Sequence, residues 1–121
     1  MPLYETTIIL RQDLAVSDVE TLVESYQKII TDHQGTVKKT EIIGLRNLAY
    51  LIKKNKKGHY IYFELEAPYD ALAELERVLG ISEDVLRSLV IRVDTFSDIS
   101  AESLLKERER STTHSNQAAA S

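Results

Sequence analysis

The 121-residue chain has no cysteine and no tryptophan, only two prolines and only four glycines. Without cysteine there is no disulfide, no thiolate-bound zinc, no iron–sulfur cluster and no thiol nucleophile. An intracellular protein fits that composition. The glycines stand far apart, at positions 35, 44, 58 and 80, so no glycine-rich loop can cradle a phosphate. His33, His59 and His114 fall on separate segments, and no pair has metal-ligand spacing. No nucleophile elbow occurs. No apolar stretch approaches the roughly 20 residues of a membrane-spanning helix. The opening Met1-Pro2-Leu3-Tyr4-Glu5 does not read as a signal peptide. The expectation is a protein that is not an enzyme and carries no cofactor or metal.

What the chain does have is a core and unevenly placed charge. Hydrophobic residues make up 43% and charged residues 28%, the balance of a soluble globular domain. The length suits one domain. The net charge is −4, but residues 36–60 hold seven basic side chains and one acid, a local +6 that leaves −10 on the rest. A polyanion responds to such a patch more than to the average.

Residues 3–11 alternate, with Tyr4, Thr6, Ile8 and Leu10 on one side, and predict a half-buried strand. Ser17-Asp18-Val19-Glu20 has the pattern of a capping box. The apolar positions after it predict a helix over about 18–33, with Gly35 as its left-handed terminator. A second strand is expected over 36–47, interrupted at Gly44, with residues 48–52 continuing past the bend. Residues 53–58 read as a lysine-rich turn. His59, Ile61, Phe63 and Leu65 then alternate with Tyr60, Tyr62, Glu64 and Glu66 in a third strand. A second helix is expected from Pro68 to Gly80, and a last strand over 85–96. The order predicts an α+β fold, a ferredoxin-like βαββαβ sandwich with one four-stranded antiparallel sheet and both helices on one face. Residues 1–96 form the expected domain. Residues 97–121 form a polar C-terminal tail, expected to be partly disordered and dispensable for folding.

Two features invite a partner. The turn Lys53-Lys54-Asn55-Lys56-Lys57 can be a solvated loop that guards a strand edge, or a loop of phosphate contacts. If Ile61 and Phe63 face the helices, Tyr60 and Tyr62 lie on the sheet's other face, where Leu3, Ile9 and Val90 are expected beside them. An exposed face of this kind would stack on bases or dock a protein. Tyr60 and Tyr62 do not sit in the RNA-recognition-motif signature.

Gly44-Leu45-Arg46-Asn47-Leu48-Ala49-Tyr50, then Ile52-Lys53 and Gly58-His59-Tyr60, resemble protein number six of the bacterial small ribosomal subunit. Tyr4-Glu5 and Asp84-Val85-Leu86-Arg87 agree, and the resemblance runs from about residue 3 to 96. Leu51 stands where family members often have proline, and Ile43 where many have an aromatic. The resemblance implies a cytoplasmic ribosomal protein that binds 16S ribosomal RNA in the central domain, as a heterodimer with the subunit's protein number eighteen. On the charge pattern and the resemblance together, Arg46, Lys53, Lys54, Lys56 and Lys57 are the expected RNA contacts, with Arg87 and Arg92 as further candidates. Tyr60, Tyr62, Ile9 and Val90 are the expected partner contacts. Two other readings stay open on the residues alone. One is a regulatory or ligand-binding module acting as a homo-oligomer through its open sheet face; the other is a small enzyme on the same fold.

Overall fold

Alternating β-formers and two helical stripes produce six elements: β1 (Leu3–Arg11), α1 (Val16–Asp32), β2 (Thr36–Ile52), β3 (Asn55–Glu66), α2 (Tyr69–Ile81) and β4 (Val85–Val93). The computed structural model describes residues 1–96, and the predicted tail lies outside the described residues. The strands pair antiparallel in the order β2-β3-β1-β4. This is the βαββαβ sandwich expected from the sequence. Both helices cover one face, since Ile8 and Leu10 of β1 and Ile61, Phe63 and Leu65 of β3 share a buried cluster with Val19, Val23, Tyr26 and Ile30 of α1 and with Leu72, Leu75 and Leu79 of α2. Period two in the strands and period 3.6 in the helices bring these residues to one interface.

Local details depart from the expectations. The N-cap of α1 is Ala15, and Asp18 reaches back to accept from its backbone N–H at 3.3 Å. Alanine has no side-chain acceptor, so half of the expected box is missing and Ser17 lies inside the first turn. At the other end Gln34, not Gly35, takes the left-handed backbone, with φ 67°. Gly35 is needed for close approach instead: a Cβ there would stand 2.7 Å from Ala67 Cβ and 2.8 Å from Ile30 Cγ2. Helix α2 runs through Gly80 to Ile81, and β4 stops at Val93.

Tyr26 of α1 is buried in the main core. Its hydroxyl has no hydrogen bond of good geometry, although Ser82 lies close enough to favour ionisation slightly. Burial pushes the Tyr26 hydroxyl up to about 12, and the charge of Asp84 acts in the same direction. An unfolded tyrosine ionises near 10, roughly its reference value. In the window between, the unfolded chain has released a proton that the folded chain retains, so stability is lost as pH rises. Tyr26→Phe removes a buried unpaired hydroxyl and is expected to be neutral or stabilising at pH 7. Denaturant melts from pH 9 to 11.5 should show a shallower loss of stability in Tyr26→Phe than in the parent chain.

Candidate nucleic-acid interface

The basic segment is carried by the β2–β3 hairpin, at the end of the sheet where β1 finishes and β4 starts. The turn is tighter than the sequence suggests. β2 ends at Ile52, β3 begins at Asn55, and only Lys53 and Lys54 lie between. Their φ angles are 48° and 68°. Positive φ at both central residues is the signature of a type I′ hairpin turn, which favours Asn-Gly because left-handed backbone crowds a Cβ. Here two lysines take it. Asn55 braces the turn by donating to the carbonyls of Ile52 and Lys53, while its Oδ1 accepts from the Gln12 backbone N–H at 3.1 Å. Gln12 in turn accepts from the backbone N–H of Lys57 at 3.3 Å. Replacing Lys53 and Lys54 with Asn and Gly should therefore raise stability by about 1–2 kcal/mol, on the order of one relieved left-handed residue. Denaturant midpoints at equal m-value would check it.

Lys53, Lys54, Lys56 and Lys57 are all exposed. Among the described residues, none of the four has a carboxylate within ion-pair distance. Several cations elsewhere do pair: Lys38 with Glu66, Lys39 with Glu41, Arg77 with Glu74, and Arg11 with both Asp13 and Asp84. Hydrogen bonding to Asp84 raises the Arg11 guanidinium further above its ordinary value, and bonding from Arg77 lowers the Glu74 carboxyl. The lysine tip thus keeps its charge available to a polyanion, while Arg11, Lys38, Lys39 and Arg77 are partly neutralised.

The sheet face away from the helices is not open, which corrects the expected surface. Tyr60 and Tyr62 do point to that face, as alternation predicts, but they are 3% and 0% exposed, and Ile9 is 8% exposed. Ile43, Leu48 and Leu86 pack over Ile9 and Tyr60, and Ile43 also packs on Tyr62. Leu86 reaches this face at a register shift of β4 against Ile9 and Leu10, and the rest of the cover comes from two irregularities in β2. One is a bulge between Ile42 and Gly44, where Gly44 has φ 107° and Ile43 joins the second face. The other lies farther on: Asn47 pairs with Lys57 and Ile52 with Asn55, so residues 48–51 oppose Lys56 alone. The surplus backbone forms an arch that leans across the sheet. Polar groups farther along the same face are also buried: Tyr62 Oη donates to Glu64 Oε2 at 2.9 Å, and Glu5 and Thr7 are under 6% exposed. Val90 was expected on this face but lies on the helix side, because it pairs with Thr6 and packs against the main core. Leu89, 40% exposed, and the half-buried Ile91 occupy the second face of β4 instead.

The arch also joins residues the sequence could not place together. β2 and β4 are the two edges of the sheet, three strand spacings or roughly 14 Å apart. Yet Arg87 of β4 lies over the Tyr50 ring at 5.8 Å and donates from Nη1 to Tyr50 Oη at 3.3 Å. Arg46, opposite Gly58 on β2, belongs to the same end of the sheet. Arg46, the four tip lysines and Arg87 therefore share one end of the molecule. Arg92 does not: it pairs with Tyr4, near the other end of the sheet, and sits on the helix side. Nothing in the sequence places Tyr50 beside Arg87, because residues 48–52 read as plain strand. The available signal was an aromatic inside the most basic segment of the chain.

The profile described as Ribosomal protein S6 matches residues 3–92. The small ribosomal subunit protein bS6 of Gluconobacter oxydans is 51% identical over 98 residues, covering 81% of this chain and 61% of that protein. The chain thus spans about three fifths of that relative's length. The protein of the same name from Zymomonas mobilis is 52% identical over 94 residues, covering 78% of this chain and 76% of its own. Among solved structures, 30S ribosomal protein S6 of Thermotoga maritima superposes with a TM-score of 0.72 at 27% identity, over 93% of this chain and 97% of that one.

Proposed function

The chain belongs to the ribosomal protein S6 family, and from that premise we propose that it is a non-enzymatic constituent of the cytoplasmic small ribosomal subunit. It binds 16S ribosomal RNA in the central domain as a heterodimer with the subunit's protein number eighteen. The observation that carries the RNA half is the lysine tip: four exposed ammonium groups without a carboxylate neighbour among the described residues, on a turn whose backbone disfavours lysine. Compact point charges release counterions from phosphates without reading sequence. Arg46 and Arg87 extend the contact, and Arg92, at the other end, would touch RNA only on a separate side.

The charge outside the basic segment supports the partner half. A body at −10 repels a polyanion and attracts a basic protein, so sharing the phosphate contacts with such a partner resolves the conflict. With Tyr60 and Ile9 beneath the arch, Tyr62 buried against Ile43 and Val90 on the helix side, the apolar contact falls to Leu89 and Ile91 on β4. The test is sedimentation: the chain should travel with small ribosomal subunits through a high-salt wash. Release into the supernatant as a stable homodimer that ignores RNA would favour the regulatory-module reading.

A further inference from the structure

We infer that Tyr50 is a stacking contact for an unpaired base of the bound RNA, resting on the RNA-binding reading above. Its position carries the argument. Tyr50 stands on an arch between the two edges of the sheet, within the cationic end of the molecule, and is 39% exposed. Arg87 lies over the ring and its guanidinium donates to the hydroxyl, which fixes the ring's orientation before any ligand arrives. Every other tyrosine of the sheet is buried: Tyr4, Tyr60 and Tyr62 are at most 8% exposed. The remaining exposed tyrosine, Tyr69, opens α2, away from the hairpin.

An aromatic ring flanked by phosphate-binding cations is the arrangement that binds single-stranded or looped-out nucleotides. The cations hold the backbone, and the π-face takes a base regardless of its identity. The lysines supply affinity that weakens with salt; the ring supplies affinity that does not. Leu48, on the same arch, packs down on Ile9 and Tyr60, so the arch has a floor and the ring is not on a free loop.

Salt dependence separates this role from the alternatives. The full chain, in the presence of the basic partner, is titrated with a labelled central-domain fragment of 16S RNA at several salt concentrations. Tyr50→Ala should weaken binding about 5- to 100-fold at every salt concentration, the range for loss of one stacked base, with the slope of log affinity against log salt unchanged. Tyr50→Phe, which keeps the ring, should bind within about twofold of the parent, far inside that loss. Thermal melts of both variants confirm that the fold is kept. Unchanged affinity in Tyr50→Ala, while the tip lysines still set the salt slope, would overturn the stacking role and leave the RNA reading standing. A slope lowered by about one unit, equal to that of Arg87→Ala and no lower in the double variant, would also overturn it, by making Tyr50 a positioning residue for Arg87. Absence of RNA binding by the parent chain with its partner would instead remove the RNA reading itself.

Discussion

Changing Lys53, Lys54, Lys56 and Lys57 together to alanine should flatten the salt dependence of RNA binding by about three units of log–log slope. Each phosphate contact contributes roughly 0.7 to 0.9 to that slope. At low salt the loss is largest: a slope difference of three is worth roughly 60-fold between 50 and 200 mM salt. The fold should not suffer. All four side chains are exposed, none is in an ion pair with a described residue, and the turn's backbone is braced by Asn55 and Gln12 rather than by the lysines. Filter binding or anisotropy at four salt concentrations, with the partner present, measures the slope. An unchanged slope and affinity would make the tip a solvated loop that only guards the hairpin edge.

Gly58→Ala should destabilise the fold by about 1–3 kcal/mol, the usual range for forcing an extra methyl into a packed site. Gly58 sits in β3 between Arg11 of β1 and Arg46 of β2. A Cβ there would clash with Ile9 Cγ2 and come 3.2 Å from the Leu10 carbonyl oxygen, with Leu48 Cδ2 at 3.5 Å. Ile9 has little room to retreat, being held between Tyr60, Leu48 and Leu86. The strain falls on the floor of the arch, so the Tyr50–Arg87 contact should loosen as well. Urea unfolding of Gly58→Ala, Ile9→Ala and the double variant tests the cause: if the clash is with Ile9, the double variant loses less than the sum of the singles.

The fold was legible because its signals are regular. Alternation along residues 3–11 and 59–66, and the helical stripes of Val19, Val23, Tyr26 and Ile30 and of Leu72, Leu75 and Leu79, assign each residue to a face without knowledge of its neighbours. The second face of the sheet was not legible. Alternation put Tyr60 and Tyr62 there correctly, but it says nothing about what covers them. The cover depends on the Gly44 bulge, on the mismatch of residues 48–51 against Lys56 and on the β4 shift that brings in Leu86, all set by pairing between strands. Val90 was misplaced for a related reason. β4 is apolar on successive residues from Leu89 to Ile91, so only its register with Thr6 decides which side faces the helices. The basic residues were readable as a segment, since five of the seven expected RNA contacts lie within residues 46–57. That Arg87 joins them and Arg92 does not follows from the pairing of β4 with β1, which sets Arg87 opposite Ile9 and Arg92 opposite Tyr4.

The proposed function requires that an acidic chain with one cationic end bind RNA well only beside a basic partner. It is tested most directly by titrating labelled central-domain 16S RNA with this chain alone, with the subunit's protein number eighteen alone, and with the two together. Far tighter binding is expected by the pair than by either alone, weakened but not abolished by moderate salt if the proposed interface carries apolar contact as well as charge. Equal binding by this chain with and without the partner would contradict it.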